Sequence, residues 1–157
     1  MKVVLPHNIL KKIRCNMLKA GKREIGGMLM GEDLGNQKFR IVDFSVDMKK
    51  GTSSSFTRNS SQHDLALQQF FTKTKADYKR FNYLGEWHTH PSFAVTPSIQ
   101  DIKAMQGIVN DDRNIEFAFL FITRLRWVWK LECSIHLFIK GYQPIQCEII
   151  YEKTESY

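Results

Sequence analysis

The stretch "GEWHTHPSFAVTPSIQD", Gly85 to Asp101, decides how the chain is read. Its first half, within "YLGEWHTH" (83–90), has the apolar and aromatic content of a strand. Residues i and i+2 of a strand point to one face, so His88 and His90 present two imidazoles side by side. Two imidazoles so placed can share one metal ion at about 2.0–2.1 Å each. Pro91 cannot continue a central strand, so the strand stops at its histidine end. Ligands in α/β proteins are held at such strand termini. An isolated His-x-His is weak evidence, because one ring can cap a sheet edge while the other lies exposed.

The second half reads as a helix start. Ser98 and Asp101 form a capping-box pattern ahead of "SIQDIKAMQGIV", Ser98 as N-cap and Asp101 in the first turn. Residues i and i+3 share a helix face. Asp101 can therefore reach back as an oxygen ligand beside the histidines, with Ser98 next to it. A His–His–Asp set leaves a fourth tetrahedral position for water, which is the pattern of a catalytic zinc site. Hydrolysis also needs a general base. Glu86 shares the face of His88 and His90. Glu24 opens "EIGGMLMGE" (24–32), where Gly26 and Gly27 permit close backbone approach. Spacing leaves both open.

Around this stretch the periodicity predicts a helix over 7–20, with Ile9, Leu10, Ile13, Met17 and Leu18 on its apolar stripe. Strands follow over 24–32 and 39–48. A polar loop spans 49–62 and a helix 63–81. After the Gly85–Asp101 region come strands over 115–123, 127–140 and 145–152, with Arg124 to Arg126 as a turn. The order α, β, β, α, β, α, β, β, β predicts one α/β sandwich over residues 1–157, a mixed β-sheet flanked by helices. Phe56 and Arg58, in the long polar loop, are candidate substrate-binding residues, as is Glu86.

Composition narrows the function. The 157 residues are 43% hydrophobic and 25% charged, which excludes a disordered chain. The 11 phenylalanines predict an aromatic-rich core. Cys15, Cys133 and Cys147 are odd in number and form no CxxC pair, so they read as small buried thiols in a reducing compartment. "MKVVLPHNILKKIRC" lacks the features of a signal peptide, and no apolar run is long enough to span a membrane. A cytoplasmic protein with no membrane partner is expected. The net charge of +7 comes from dispersed clusters such as "KKIR", "KKG" and "TRLRWVWK". No helix-turn-helix, zinc-finger or RNP signature accompanies them, so no nucleic-acid partner is expected.

Taken together, "EIGGMLMG" and "HTHPSFAVTPSIQD" resemble the E-x-x-G-x-x-x-G stretch and the JAMM motif, H-x-H-x7-S-x-x-D, of JAB/MPN-domain zinc metalloproteases. Every fixed position is present. The resemblance implies the family's cytidine-deaminase-like sandwich. It implies that His88, His90 and Asp101 hold one zinc ion, that Glu24 is the general base and that Ser98 steadies the oxyanion or the water. Glu86 would then orient a histidine or face the substrate. The implied activity is that of an isopeptidase acting at the C-terminus of a ubiquitin-like or otherwise conjugated protein. The "GEWHTHP" wording is similar to stand-alone deconjugases of type II CBASS anti-phage operons. Such a relative would work beside E1/E2-like proteins and a cGAS-like nucleotidyltransferase. A non-catalytic MPN-type interaction scaffold is the competing expectation.

Overall fold

A computed structural model of the chain describes residues 1–47, 60–111 and 115–152. In chain order the elements are β1 (Lys2–Pro6), α1 (His7–Ala20), β2 (Gly26–Asp33), β3 (Lys38–Phe44), α2 (Ser60–Lys73), β4 (Phe81–Thr89), α3 (Ile99–Asn110), β5 (Phe117–Arg126), β6 (Lys130–Ile139), β7 (Ile145–Gln146) and β8 (Glu148–Glu152). The strands form one mixed sheet in the order β7-β6-β5-β4-β2-β3-β1-β8. β4 lies in its interior, parallel to β5 and antiparallel to β2.

α1 packs on one face of the sheet. Its stripe of Ile9, Ile13, Met17 and Ala20 meets Val3, Leu29, Trp87, Phe119, Phe121 and Ile135 in the main core. On the other face α3 sets Met105 and Val109 against Ala118, Leu120, Ile122 and Phe138. The alternation along β5, Phe119 and Phe121 to one side and Leu120 and Ile122 to the other, follows from the two-residue period of a strand. Full burial of each of these side chains stabilises the fold by about 1.5–3 kcal/mol. The core is rich in aromatics, as expected.

β4 breaks strict alternation once. Leu29 pairs with Gly85 but Met30 pairs with Tyr83, so Leu84 is an extra residue on β4. This bulge puts both Leu84 and Trp87 into the α1 core and sends Glu86 and His88 to the α3 face. Gly85 sits at the bulge with φ 146°, and a Cβ there would collide with the Phe119 backbone of β5. Gly27, paired with Trp87, has no room for a Cβ against the Ser45 carbonyl. The Trp87 indole N–H donates to that carbonyl at 2.8 Å. Trp87 is completely buried.

Several boundaries differ from the sequence reading. β1 was not anticipated: "KVVLP" is only five residues long and runs into α1 with no turn residue except Pro6. The second helix stops at Lys73, not at residue 81. Lys75 and Ala76 take left-handed φ of 56°, and the Ala76 N–H closes on the Phe71 carbonyl at 2.8 Å. No glycine or proline marks this stop, and it frees Phe81 to begin β4 and meet Phe70 edge-on at 6.3 Å. The strand expected over 39–48 ends at Phe44. Arg124 to Arg126 belong to β5, and the turn is Trp127–Trp129 instead, closed by the Lys130 N–H on the Trp127 carbonyl at 3.1 Å. Tryptophans read as strand formers, which misplaced that turn. The expected strand 145–152 splits at the buried Cys147, whose N–H bonds to Ile135. β7 pairs with β6 and β8 pairs with β1, so one short segment touches both ends of the sheet and nearly closes it. Of the three cysteines only Cys147 is buried, and Cys15 is exposed. Phe56 and Arg58 lie outside the described residues. Among the described residues no helix is long and apolar enough to cross a membrane.

Two glycine substitutions test the packing of β4. Gly85→Ala forces a side chain onto the β5 backbone at a positive φ, and it is expected to destabilise by more than about 2 kcal/mol. Gly107→Ala, in α3 with open space around it, is expected to stabilise by about 0.5–1 kcal/mol. Urea midpoints of the two variants against the parent chain check both signs.

Candidate metal centre

β4, α3 and β5 form a parallel strand–helix–strand unit, and the site lies where β4 ends and α3 begins. His88 is in the last turns of β4 pairing, opposite Gly26, and its imidazole faces the α3 side. His90 follows the strand end, held by its N–H on the Thr123 carbonyl at 2.9 Å. The loop then returns to Ser98, which caps α3. The Asp101 N–H donates to the Ser98 hydroxyl at 3.1 Å, and the Ser98 N–H donates to Asp101 Oδ2 at 2.7 Å. The capping box is therefore complete, and it fixes the Asp101 carboxylate over the end of β4.

That carboxylate faces both histidines. His88 Nε2 lies 3.3 Å from Asp101 Oδ1, His90 Nε2 lies 3.5 Å from Oδ2, and the two Nε2 atoms are 2.9 Å apart. The His90 Nδ1–H donates to the Ala94 carbonyl at 2.7 Å, since a carbonyl can only accept. This bond sets the tautomer, so the Nε2 lone pair of neutral His90 is aimed at the cluster.

The electrostatics agree with the geometry. A hydrogen bond to Asp101 that only the protonated ring can donate holds His90 above the ordinary imidazole value, against the opposing effect of burial; the Ala94 carbonyl and the charges of Asp101 and Glu24 add to the rise. Burial would raise the Asp101 carboxyl, but the hydrogen bonds it can accept from the two histidine rings when they are protonated, and from the Ser98 N–H, outweigh it and hold the group far below the usual carboxylate range.

One ligand atom from each of His88, His90 and Asp101 lies within 4.8 Å of the others. Bonds of about 2.0–2.1 Å at tetrahedral angles separate donor atoms by about 3.3–3.4 Å. The separations of 2.9, 3.3 and 3.5 Å bracket that edge length. Two nitrogens and a carboxylate oxygen are donors that suit zinc. The residues present fit such an ion.

Glu24 precedes β2, which runs antiparallel to β4. The Thr89 N–H to the Ile25 carbonyl, at 2.9 Å, and the Ile25 N–H to Thr89 Oγ1, at 3.0 Å, carry the register one pair past Gly26–His88. Glu24, half-buried, lies two residues before β2 at this end of the sheet, near enough for its charge to act on His90. Glu86 is on the face of His88, but it is buried and one strand repeat further from the end. It accepts a hydrogen bond from the Tyr83 hydroxyl at 2.8 Å. It lines a groove of about 780 Å³ that includes Met28, His63, Leu67 and Phe117. The structure brings Glu24, His88, His90, Ser98 and Asp101 to one end of β4 and sets Glu86 apart.

Three supports were not foreseen. The Ala94 carbonyl orients His90, the Ser134 hydroxyl bonds to the Val95 carbonyl, and Arg124 donates to the Phe93 carbonyl at 2.9 Å while pairing with Glu132 at 2.6 Å. All three brace the 91–97 loop that joins the two halves of the cluster. A backbone acceptor has no sequence signature, and Arg124 read as a turn residue.

Comparison with known proteins agrees with the architecture. Residues 6–133 match the family described as prokaryotic homologs of the JAB domain, and the chain belongs to that family. Over 95 residues it is 28% identical to COP9 signalosome complex subunit 5 of Candida glabrata. That match covers 58% of this chain and 20% of the relative, so the chain spans about a fifth of the curated relative it matches. A solution structure of a protein from Desulfitobacterium hafniense superposes with a TM-score of 0.72 at 18% identity, over 96% of this chain and 93% of that one. At that identity the likeness concerns the fold.

Elemental analysis of wild type, His88→Ala and Asp101→Asn separates a ligand set from a helix cap. Asn keeps a side-chain oxygen for the Ser98 N–H and is expected to hold stability within about 1 kcal/mol. Both variants are expected to fall well below the about one zinc per chain expected of wild type.

Proposed function

We propose that the chain is a zinc-dependent peptidase or isopeptidase that hydrolyses the amide at the C-terminus of a ubiquitin-like or otherwise conjugated protein. The observation that carries this reading is the His88–His90–Asp101 cluster, with Glu24 just before the adjoining strand, in a chain of the JAB family. When bound, the ion supplies a Lewis acid that polarises a carbonyl and makes water acidic enough to deprotonate near neutral pH.

The chain's own groups supply the rest. His88, His90 and Asp101 hold the ion, and the capping box keeps the carboxylate from turning away. Glu24 takes a proton from the attacking water and returns it to the departing amine nitrogen, as general base and then general acid. The Ser98 hydroxyl accepts the Asp101 N–H, which leaves its O–H to donate to the developing oxyanion. Glu86 and its groove face the substrate. The expected setting is a conjugation system of E1/E2-like proteins, with a nucleotidyltransferase among the conjugated targets. An MPN-type scaffold without catalysis is the second reading, and it predicts no specific hydrolysis, with or without bound zinc.

Glu24→Gln is expected to leave the fold and the zinc content unchanged while lowering kcat by about 10²–10⁴-fold on C-terminal fusions and isopeptide-linked conjugates. Unchanged kcat in this variant would overturn the role of Glu24. A zinc-loaded wild type that cleaves none of a broad conjugate panel would favour the scaffold.

A further inference from the structure

The β5–β6 turn exposes an apolar tip. Trp127, Val128 and Trp129 are 69%, 66% and 70% exposed, in three consecutive positions at the apex of the hairpin. β5 and β6 stay paired to Arg126–Lys130, three residues beyond the Thr89–Thr123 pair where β4 ends. The tip therefore projects about 10 Å past the end of β4, beyond the same end of the sheet as the metal cluster.

Basic side chains surround it. Arg126 and Lys130 flank the apex, exposed, and with Arg124 share the single carboxylate of Glu132. The Arg14 guanidinium donates to the Val128 carbonyl at 3.1 Å, which ties the tip to α1 across 114 positions of sequence. α1 and the residues after it carry Lys11, Lys12, Arg14, Lys19, Lys22 and Arg23, and no Asp or Glu occurs before Glu24. The Arg14–Val128 bond thus brings "KKIR" against "TRLRWVWK", so that basic residues from both segments lie near the aromatic apex.

We propose that this region docks on an anionic membrane surface, with Trp127 and Trp129 entering the headgroup layer and the α1 and hairpin cations against the lipid phosphates and carboxylates. Tryptophan is at home at that interface, and each nearby Lys or Arg adds to the attraction of an anionic leaflet. A convex tip needs no complementary pocket in a fluid layer. Single-stranded nucleic acid stacks its bases on aromatics along a groove, and a second copy of this chain would bring like charges together. Surface docking needs no spanning segment. It stands independently of the peptidase reading.

The three tryptophans make the test direct, because Trp87 is fully buried and the emission response to a surface comes from Trp127 and Trp129. The full chain is mixed with phosphatidylcholine vesicles with and without phosphatidylserine. Blue-shifted emission and co-sedimentation with the serine-containing vesicles alone are expected. Trp127→Asn/Trp129→Ser keeps a residue that tolerates the positive φ of 50° at position 127. It and Arg126→Gln/Lys130→Gln, both checked by thermal unfolding, are each expected to weaken partitioning by at least about tenfold. Three results overturn the proposal: no association with anionic vesicles, undiminished association of the tryptophan variant, or a blue shift produced by single-stranded DNA or polyglutamate but not by vesicles.

Discussion

The extra residue at Leu84 and the glycine beside it govern the face that each later residue of β4 presents. A strand alternates strictly, so one inserted residue reverses every side chain beyond it. Here the reversal puts the completely buried Trp87 among the α1 contacts and turns His88 and His90 toward α3. Only a glycine fits at position 85, where β5 runs against the Cα. Without the bulge, Leu84 and Trp87 would face opposite sides of the sheet. Burial of the indole, its bond to the Ser45 carbonyl and the placement of the imidazoles are therefore one constraint met at one point.

The helix start and the ligand set are also one structure. Ser98 and Asp101 satisfy backbone donors at the N-terminus of α3 that would otherwise lack partners. The same two bonds orient the carboxylate toward the imidazoles. A capping box costs nothing extra here, because a carboxylate has several acceptor sites and the cap uses only one of them. The cap and the ligand are therefore compatible readings of one residue. Bracing of the 91–97 loop by Arg124 and Ser134 limits how far the two halves can drift.

The second chemically distinctive region is on the α1 side and at the hairpin tip. It shows how basic segments far apart in sequence come together in space. Glu132 neutralises part of it, and the Glu32 carboxylate plays a similar role elsewhere, buried between Arg40 and Arg80. The cations of α1 have no acidic neighbour in sequence, and α1 has its apolar stripe on the opposite side, so they face solvent.

The sequence by itself determined the α/β class, the helix of residues 7–20, the strand that carries His88 and His90, and the capped helix that carries Asp101. These features rest on local rules: strand parity, proline and capping chemistry. The four-position set of His88, His90, Ser98 and Asp101 was legible for the same reason. Only the tertiary structure decided the rest. The bulge at Leu84 depends on β2 and β5, and the stop after Lys73 is made by the left-handed Lys75 and Ala76, which leave Phe81 free to meet Phe70. The nearness of Glu24 to His90 rests on the pairing of β2 with β4, which no local pattern encodes. The tip at Trp127–Trp129 is exposed because β5 and β6 pair through Arg126. Local propensity favours burying tryptophan in a strand, and the length of the paired hairpin overrules it.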